Sequence, residues 1–137
     1  MKGRNYMKRH FATVVEYRKY PFPDINPFPF TSNDYGKQIR LASYRFPSQS
    51  QQPKAVIVNF PGYGLMQPWY SIAAQSLAAS GYEFVGYDYK GHGNSEGAQC
   101  HISSFEAHMA DARNFVVSMK EHYSNLPIVA DTDGHHK

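Results

Sequence analysis

Apolar and polar residues change rhythm several times along this chain, and each change marks an element. Ala55-Val56-Ile57-Val58-Asn59-Phe60 is a near-continuous apolar run, which suits a strand covered on both faces. Pro68 to Ser80 follows with Trp69, Ile72, Ala73 and Leu77 at helical spacing, Pro68 in the first turn and Gly81 just past the end. Glu83 to Tyr87 reads as a second apolar strand. Ser103 to Tyr123 is the clearest helix. Ser103 and Glu106 form a capping box, and Phe105, Met109, Ala112, Val116, Met119 and Tyr123 make one apolar stripe, read as sheet-facing. Pro127 to Ala130 begins a third buried strand. Strand, helix, strand, helix, strand is the pattern of an α/β fold whose sheet is mostly parallel with helices on both faces.

The first third reads differently. Thr13 to Tyr20 is rich in β-branched and aromatic residues and is expected to be an edge-type strand. Pro21 to Phe30 carries prolines that supply no backbone donor, so it reads as an extended connector and not a ladder strand. Its phenylalanines are too many for a free linker and are expected to pack on the body. Asn33-Asp34-Tyr35-Gly36 is a turn signal, Ile39 to Phe46 a strand, and Pro47 to Pro53 a polar loop. The organisation expected is a basic, Pro/Phe-rich segment at 1–30, an α/β body at 31–130 and an unpatterned tail at 131–137.

Composition narrows the class. The chain has 137 residues, enough for one small domain. No run approaches the roughly 18 apolar residues that a membrane helix needs, and no secretory leader is read at the N-terminus. One cysteine, Cys100, leaves no internal disulfide framework and suits a reducing compartment. The expected location is therefore cytoplasmic, with room for peripheral membrane contact. Residues 1–20 hold six Lys/Arg against the single acid Glu16. That charge would suit an anionic lipid surface or nucleic acid, but a solvated tail is the plainer reading. The partner set adopted has weak membrane-surface contact and no nucleic acid.

Two glycine loops follow strands and carry the candidate chemistry. In Pro61-Gly62-Tyr63-Gly64 the backbone N–H groups are left free to hold a phosphate or an oxyanion, or the loop is only a tight turn. Neither G-x-G-x-x-G opening into a helix nor G-x-x-x-x-G-K-[ST] is present, so no nucleotide cofactor is expected. The second loop is Asp88-Tyr89-Lys90-Gly91-His92-Gly93-Asn94-Ser95-Glu96-Gly97. Its Gly93 to Gly97 stretch formally matches G-x-S-x-G, the nucleophile elbow. An elbow, however, squeezes its serine between a strand and a helix that starts at once. Ser95 lies several residues from both, so its expected role is to shape the loop by hydrogen bonding.

The other titratable groups make no triad. Asp111 and His108 share one helix away from strand ends. Asp131, Asp133, His135 and His136 could gather a metal by composition, but a frayed tail with chance histidines is the better reading, so no metal is expected. Cys100 beside His101 reads as an inert thiol.

From about Phe30 to Ala130 the chain resembles the monoacylglycerol-lipase-like, serine aminopeptidase-type α/β-hydrolases. The match rests on Asp88 to Gly97, which is similar to the D-x-x-G-H-G-x-S-x-G segment of that family, behind the strand entry Gly81 to Tyr87. Trp69-Tyr70, Ser103, Phe105, Glu106 and Asp111 fit too. The resemblance implies that Asp88, Gly91, His92, Gly93, Ser95 and Gly97 are a structural loop motif and that Ser95 is not the nucleophile. It places the oxyanion loop at Pro61 to Gly64, proline replacing the usual histidine, with Gly62 and Tyr63 as oxyanion-hole backbone. The family strand matching Pro127 to Ala130 runs directly into G-x-S-x-G. Here Asp131-Thr132-Asp133-Gly134 follows instead.

The resemblance therefore implies a partial α/β-hydrolase fold cut before the nucleophile elbow, by frameshift, retained intron or early stop. Catalytic nucleophile, acid and base are all expected outside these residues, leaving a chain inactive on its own. The alternative is a pseudoenzyme or binding module that uses the oxyanion-loop pocket or the basic N-terminus. An ester or lipid is the implied small-molecule partner, and no cofactor is expected. The strand at Pro127 would be an exposed apolar edge, open to self-association and marginal in stability.

Overall fold

The computed structural model describes residues 22–131. The basic segment, the expected strand at Thr13 to Tyr20 and the histidine-bearing tail after Asp131 lie outside the described residues.

Among the described residues seven strands and two α-helices follow one another as β1 (Asp24–Ile25), β2 (Thr31–Asp34), β3 (Lys37–Arg40), β4 (Ser43–Phe46), β5 (Val56–Asn59), α1 (Ser71–Ala79), β6 (Glu83–Tyr87), α2 (Phe105–His122) and β7 (Ile128–Asp131). A short 3₁₀ turn, Gln67–Tyr70, leads into α1. Five strands form one mixed sheet in the order β1-β4-β6-β5-β7. The block β6-β5-β7 is parallel and β4 joins β6 antiparallel. β2 and β3 form a separate hairpin. Its turn residues Tyr35 and Gly36 both have positive φ, the geometry that matches the twist of paired strands.

Each face of the sheet buries its own cluster. On one side Val56, Val58, Val85 and Tyr87 pack against Phe115 and Met119 of α2 and against Phe28 and Phe30. On the other, Tyr44 and Phe84 pack against Ala74 of α1 and against Phe22. The connector phenylalanines thus pack into the body as expected. Ser71, Ala74 and Ala78 are the buried residues of α1, small enough to let that helix sit close to the strands. Complete burial of Phe115 alone stabilises by about 1.5–3 kcal/mol.

Several sequence expectations are corrected. The α2 stripe is rotated: the buried residues are Asp111, Phe115 and Met119, while Phe105 is 68% exposed and Met109 36%. Polar His108 and Asp111 hid the true face, because here their partners make burial tolerable. α1 shows the same shift, with Ile72 and Ala73 exposed. The cap of α2 is Ser104, not Ser103: its Oγ accepts from the Ala107 N–H at 3.0 Å. The single strand expected over Ile39 to Phe46 is two strands, β3 and β4, broken at Leu41-Ala42 and belonging to different sheets. Asp24-Ile25 does make a short ladder, pairing with Arg45 and Tyr44 at the sheet's edge. The two residues between Pro23 and Asn26 still carry backbone donors, and an edge strand needs bonding on one side only.

Candidate functional site: two loops at the ends of parallel strands

β5 and β6 are parallel neighbours, so both glycine loops leave the sheet at the same end. Gln67 ties those strand ends together. It is fully buried; its Oε1 accepts from Asn59 Nδ2 (3.1 Å), and its Nε2 donates to Asn59 O (2.8 Å) and Tyr87 O (3.2 Å). Gly86 makes room for it, since a Cβ there would stand 2.3 Å from Gln67 Nε2.

Asp88 organises the longer loop from a fully buried position. Its Oδ1 accepts from the Gln67 N–H (2.7 Å); its Oδ2 accepts from Tyr44 Oη (2.7 Å) and the Asn94 N–H (3.0 Å). Burial pushes its pKa above the ordinary carboxylate value, and these donors together with His92 pull back against it. Gly93 is required beside it: φ is +50°, and a Cβ would lie 2.2 Å from Asp88 Oδ2. Gly91, at φ +68°, leaves equally little room, with Ala98 O 1.9 Å from where a Cβ would be. Gly97, at φ +113°, packs against the Gly91 backbone.

Ser95 Oγ is engaged twice. It donates to Asp88 O (2.5 Å) and accepts from the Ala42 N–H (2.8 Å). It therefore joins the loop to the chain between β3 and β4. Among the described residues both of its partners are backbone atoms, so no base is positioned to take its proton.

His92 is buried, its Nδ1 bonded to Lys90 O at 2.7 Å. A carbonyl can only accept, so Nδ1 carries hydrogen there. Its ring meets Tyr63 edge-on at 4.9 Å between centroids. The Tyr63 hydroxyl reaches across to donate to Cys100 O, so its side chain bridges the two loops. Within the first loop the Gly62 N–H donates to Tyr70 Oη (3.3 Å), whereas the Tyr63 N–H has no acceptor among the described residues. A cavity of about 330 Å³ lies between the loops, lined by Gly64, Met66, His92, Ser95 and Cys100 among others.

Lys90 and Asp111 brace the other flank. Lys90 is almost wholly buried, its Nζ donating to Asn33 O (2.7 Å) and lying 3.7 Å from Asp111 Oδ2. Asp111 also accepts from Ser32 Oγ. Burial raises the Asp111 pKa; Ser32, Lys90 and His108 oppose that rise. Burial lowers His108, whose ring meets Tyr89 at 4.5 Å. Asp111 is thus not remote from the strand ends, as the sequence implied, but locked against the residue three places beyond β6.

Residues 51–130 match the family model described as serine aminopeptidase, S33, which is 80 of the chain's 137 positions. The chain belongs to the serine aminopeptidase S33 family. A comparison of its sequence with curated proteins gave no match. Among solved structures, a lipase in its open form aligns with TM-score 0.67 and 19% identity, over 80% of this chain and 36% of the lipase. A soluble variant of the monoglyceride lipase of Saccharomyces cerevisiae, solved with a substrate analogue, gives 0.65 and 16%, over 82% of this chain and 39% of that one. A thermostable carboxyl esterase from Bacillus coagulans gives 0.62 and 15%, over 77% and 35%. The fold shared with them is the α/β-hydrolase fold, and this S33 chain spans less than two fifths of each of these proteins.

Sequence reasoning found both loops but missed Gln67, Asn59 and Tyr44. Asn59 left a trace, a lone amide closing an apolar strand. Gln67 left none, because its role depends on the space above Gly86.

Proposed function

We propose that this S33 chain supplies the oxyanion-binding half of a carboxylic-ester hydrolase site of the monoacylglycerol-lipase kind, and that the 137 residues do not hydrolyse esters by themselves. One contrast carries the reading. Among the described residues the Tyr63 N–H has no acceptor in the loop that follows β5, where a developing oxyanion would gain from a fixed donor, while Ser95 Oγ is held by two backbone partners. The lipase and esterase folds it aligns with favour an ester over a nucleotide or metal-bound substrate. A second reading, a non-catalytic binder of acyl carbonyls, draws on the same N–H and the cavity beside it.

The test is a fluorophosphonate probe followed by peptide mass spectrometry. No labelled serine is expected; stoichiometric labelling of Ser95 overturns the proposal. Saturable quenching of Trp69 fluorescence by a non-hydrolysable monoacylglycerol ether, without labelling, would favour the binding role.

A further inference from the structure

A second, larger cavity opens on the far flank of the loop that follows β6. It holds about 710 Å³ between the β2–β3 hairpin and the N-terminal half of α2. We propose that it binds a neutral polyhydroxylated ligand, a sugar or cyclitol.

The floor carries the argument. Lys90 Nζ makes one hydrogen bond, to Asn33 O, and its 3.7 Å distance to Asp111 Oδ2 is too long for another. Among the described residues, two N–H groups of a buried ammonium therefore lack an acceptor. Asp111 is asymmetric in the same way. Oδ1 takes the Ser32 hydroxyl, and among the described residues Oδ2 faces only the distant ammonium. A hydroxyl satisfies both, accepting from Nζ and donating to Oδ2. An anion could take the Lys90 hydrogens but would be repelled by Asp111. A cation would meet the reverse problem. The paired charges thus select a group that is at once donor and acceptor, and neutral.

The walls agree with this. They present amides and hydroxyls, including Gln38 and Asn114, interspersed with the small apolar side chains of Ala107 and Ala110. Gln38 spends its Nε2 on Thr31 Oγ1 (3.0 Å), which leaves its Oε1 available to a ligand hydroxyl. At the rim stands Tyr35, 73% exposed, steadied by its Oη against His101 Nε2 (2.7 Å) and by ring stacking on that histidine. A steadied, exposed aromatic face beside hydroxyl-binding groups suits the C–H face of a sugar ring.

The experiment titrates the ¹⁵N-labelled full chain with myo-inositol and with methyl α-glucoside, following side-chain amides and backbone by NMR. Saturable shifts confined to Gln38, Asn114, Tyr35 and their neighbours are expected with at least one of the two. Tyr35→Ala should weaken binding about five- to tenfold, the loss of one stacking partner. Asn114→Leu, at an exposed helix position, is the second variant and should weaken it as well. Acetate and phosphate are titrated in parallel. No saturable shift with either polyol overturns the proposal. So does saturation by an anion alone, or an affinity indifferent to both substitutions.

Discussion

Gly86→Ala is the substitution whose cost the structure defines most sharply. The new methyl carbon would stand 2.3 Å from Gln67 Nε2, 2.5 Å from its Cδ and 2.6 Å from its Oε1. The Gln67 amide must therefore leave. It would give up three side-chain hydrogen bonds, to Asn59 Nδ2, Asn59 O and Tyr87 O. At about 1 kcal/mol each, that loss is ~3 kcal/mol. Overpacking at a filled site adds about 1–3 kcal/mol. The expected total is ~4–6 kcal/mol, a large share of the roughly 5–15 kcal/mol that a small domain has. Gln67→Ala alone should cost the ~3 kcal/mol of the bonds, because it removes them without a clash. The double variant is the decisive one: with the amide gone, the methyl introduced by Gly86→Ala enters vacated space, so its cost should stay near ~3 kcal/mol instead of the additive ~7–9 kcal/mol. Urea unfolding followed by circular dichroism measures all four proteins. Additive costs, or a Gly86→Ala penalty under about 1 kcal/mol, would refute the packing argument.

Two further expectations follow from the same strand-end region and from the sheet. Ser95→Ala should remove both the bond to Asp88 O and the one from the Ala42 N–H, costing about 1–3 kcal/mol in unfolding free energy while leaving fluorophosphonate reactivity unchanged. Burial acts to raise the Glu83 pKa, but the Ser48 N–H, Arg45 and Tyr123 outweigh it and hold the group below the ordinary value of 4.5. A depressed carboxylate contributes stability that is present above its unfolded pKa and lost as pH falls through the folded one. Thermal unfolding measured from pH 6 downward should therefore fall most steeply below about pH 4.5. Glu83→Gln should flatten that slope; an unchanged slope would assign the acid sensitivity to another group.

The sequence made β5 and β6 legible because they are runs whose composition depends on burial from both sides. β7 was read from its apolar run as a third buried strand, but among the described residues it is the sheet's edge strand, with Val129 47% exposed. β6 coincides with its expected span, Glu83 to Tyr87. The chemistry-bearing loops were equally plain, since positive φ at Gly91, Gly93 and Gly97 leaves few residue choices. What misled was polarity inside the core. Asp111 and His108 turned the reading of α2 by a fraction of a turn, because periodicity counts them as solvent-facing and cannot see Lys90, Ser32 or Tyr89 opposite them. Leu41-Ala42 broke a strand without any glycine or proline to announce it. Both residues are buried, and the break passes the chain from the hairpin to the main sheet.

The antiparallel join of β4 to β6 also sets an order of events during synthesis. Tyr44 pairs with Gly86, so 42 residues (86 − 44) separate the partners. At roughly 5–20 residues per second, β4 waits about 2–8 s at the ribosome before β6, its longer partner, exists. The β2–β3 hairpin, with its partners a few residues apart, has no such delay. During that interval β4 has only the two-residue β1 to pair with, and Tyr44, Phe46 and Phe22 lack the cover of Phe84 and α1. A nascent chain carrying these aromatics is a ready client for an apolar-binding chaperone, and the emergence of β6 is the moment at which that dependence should end.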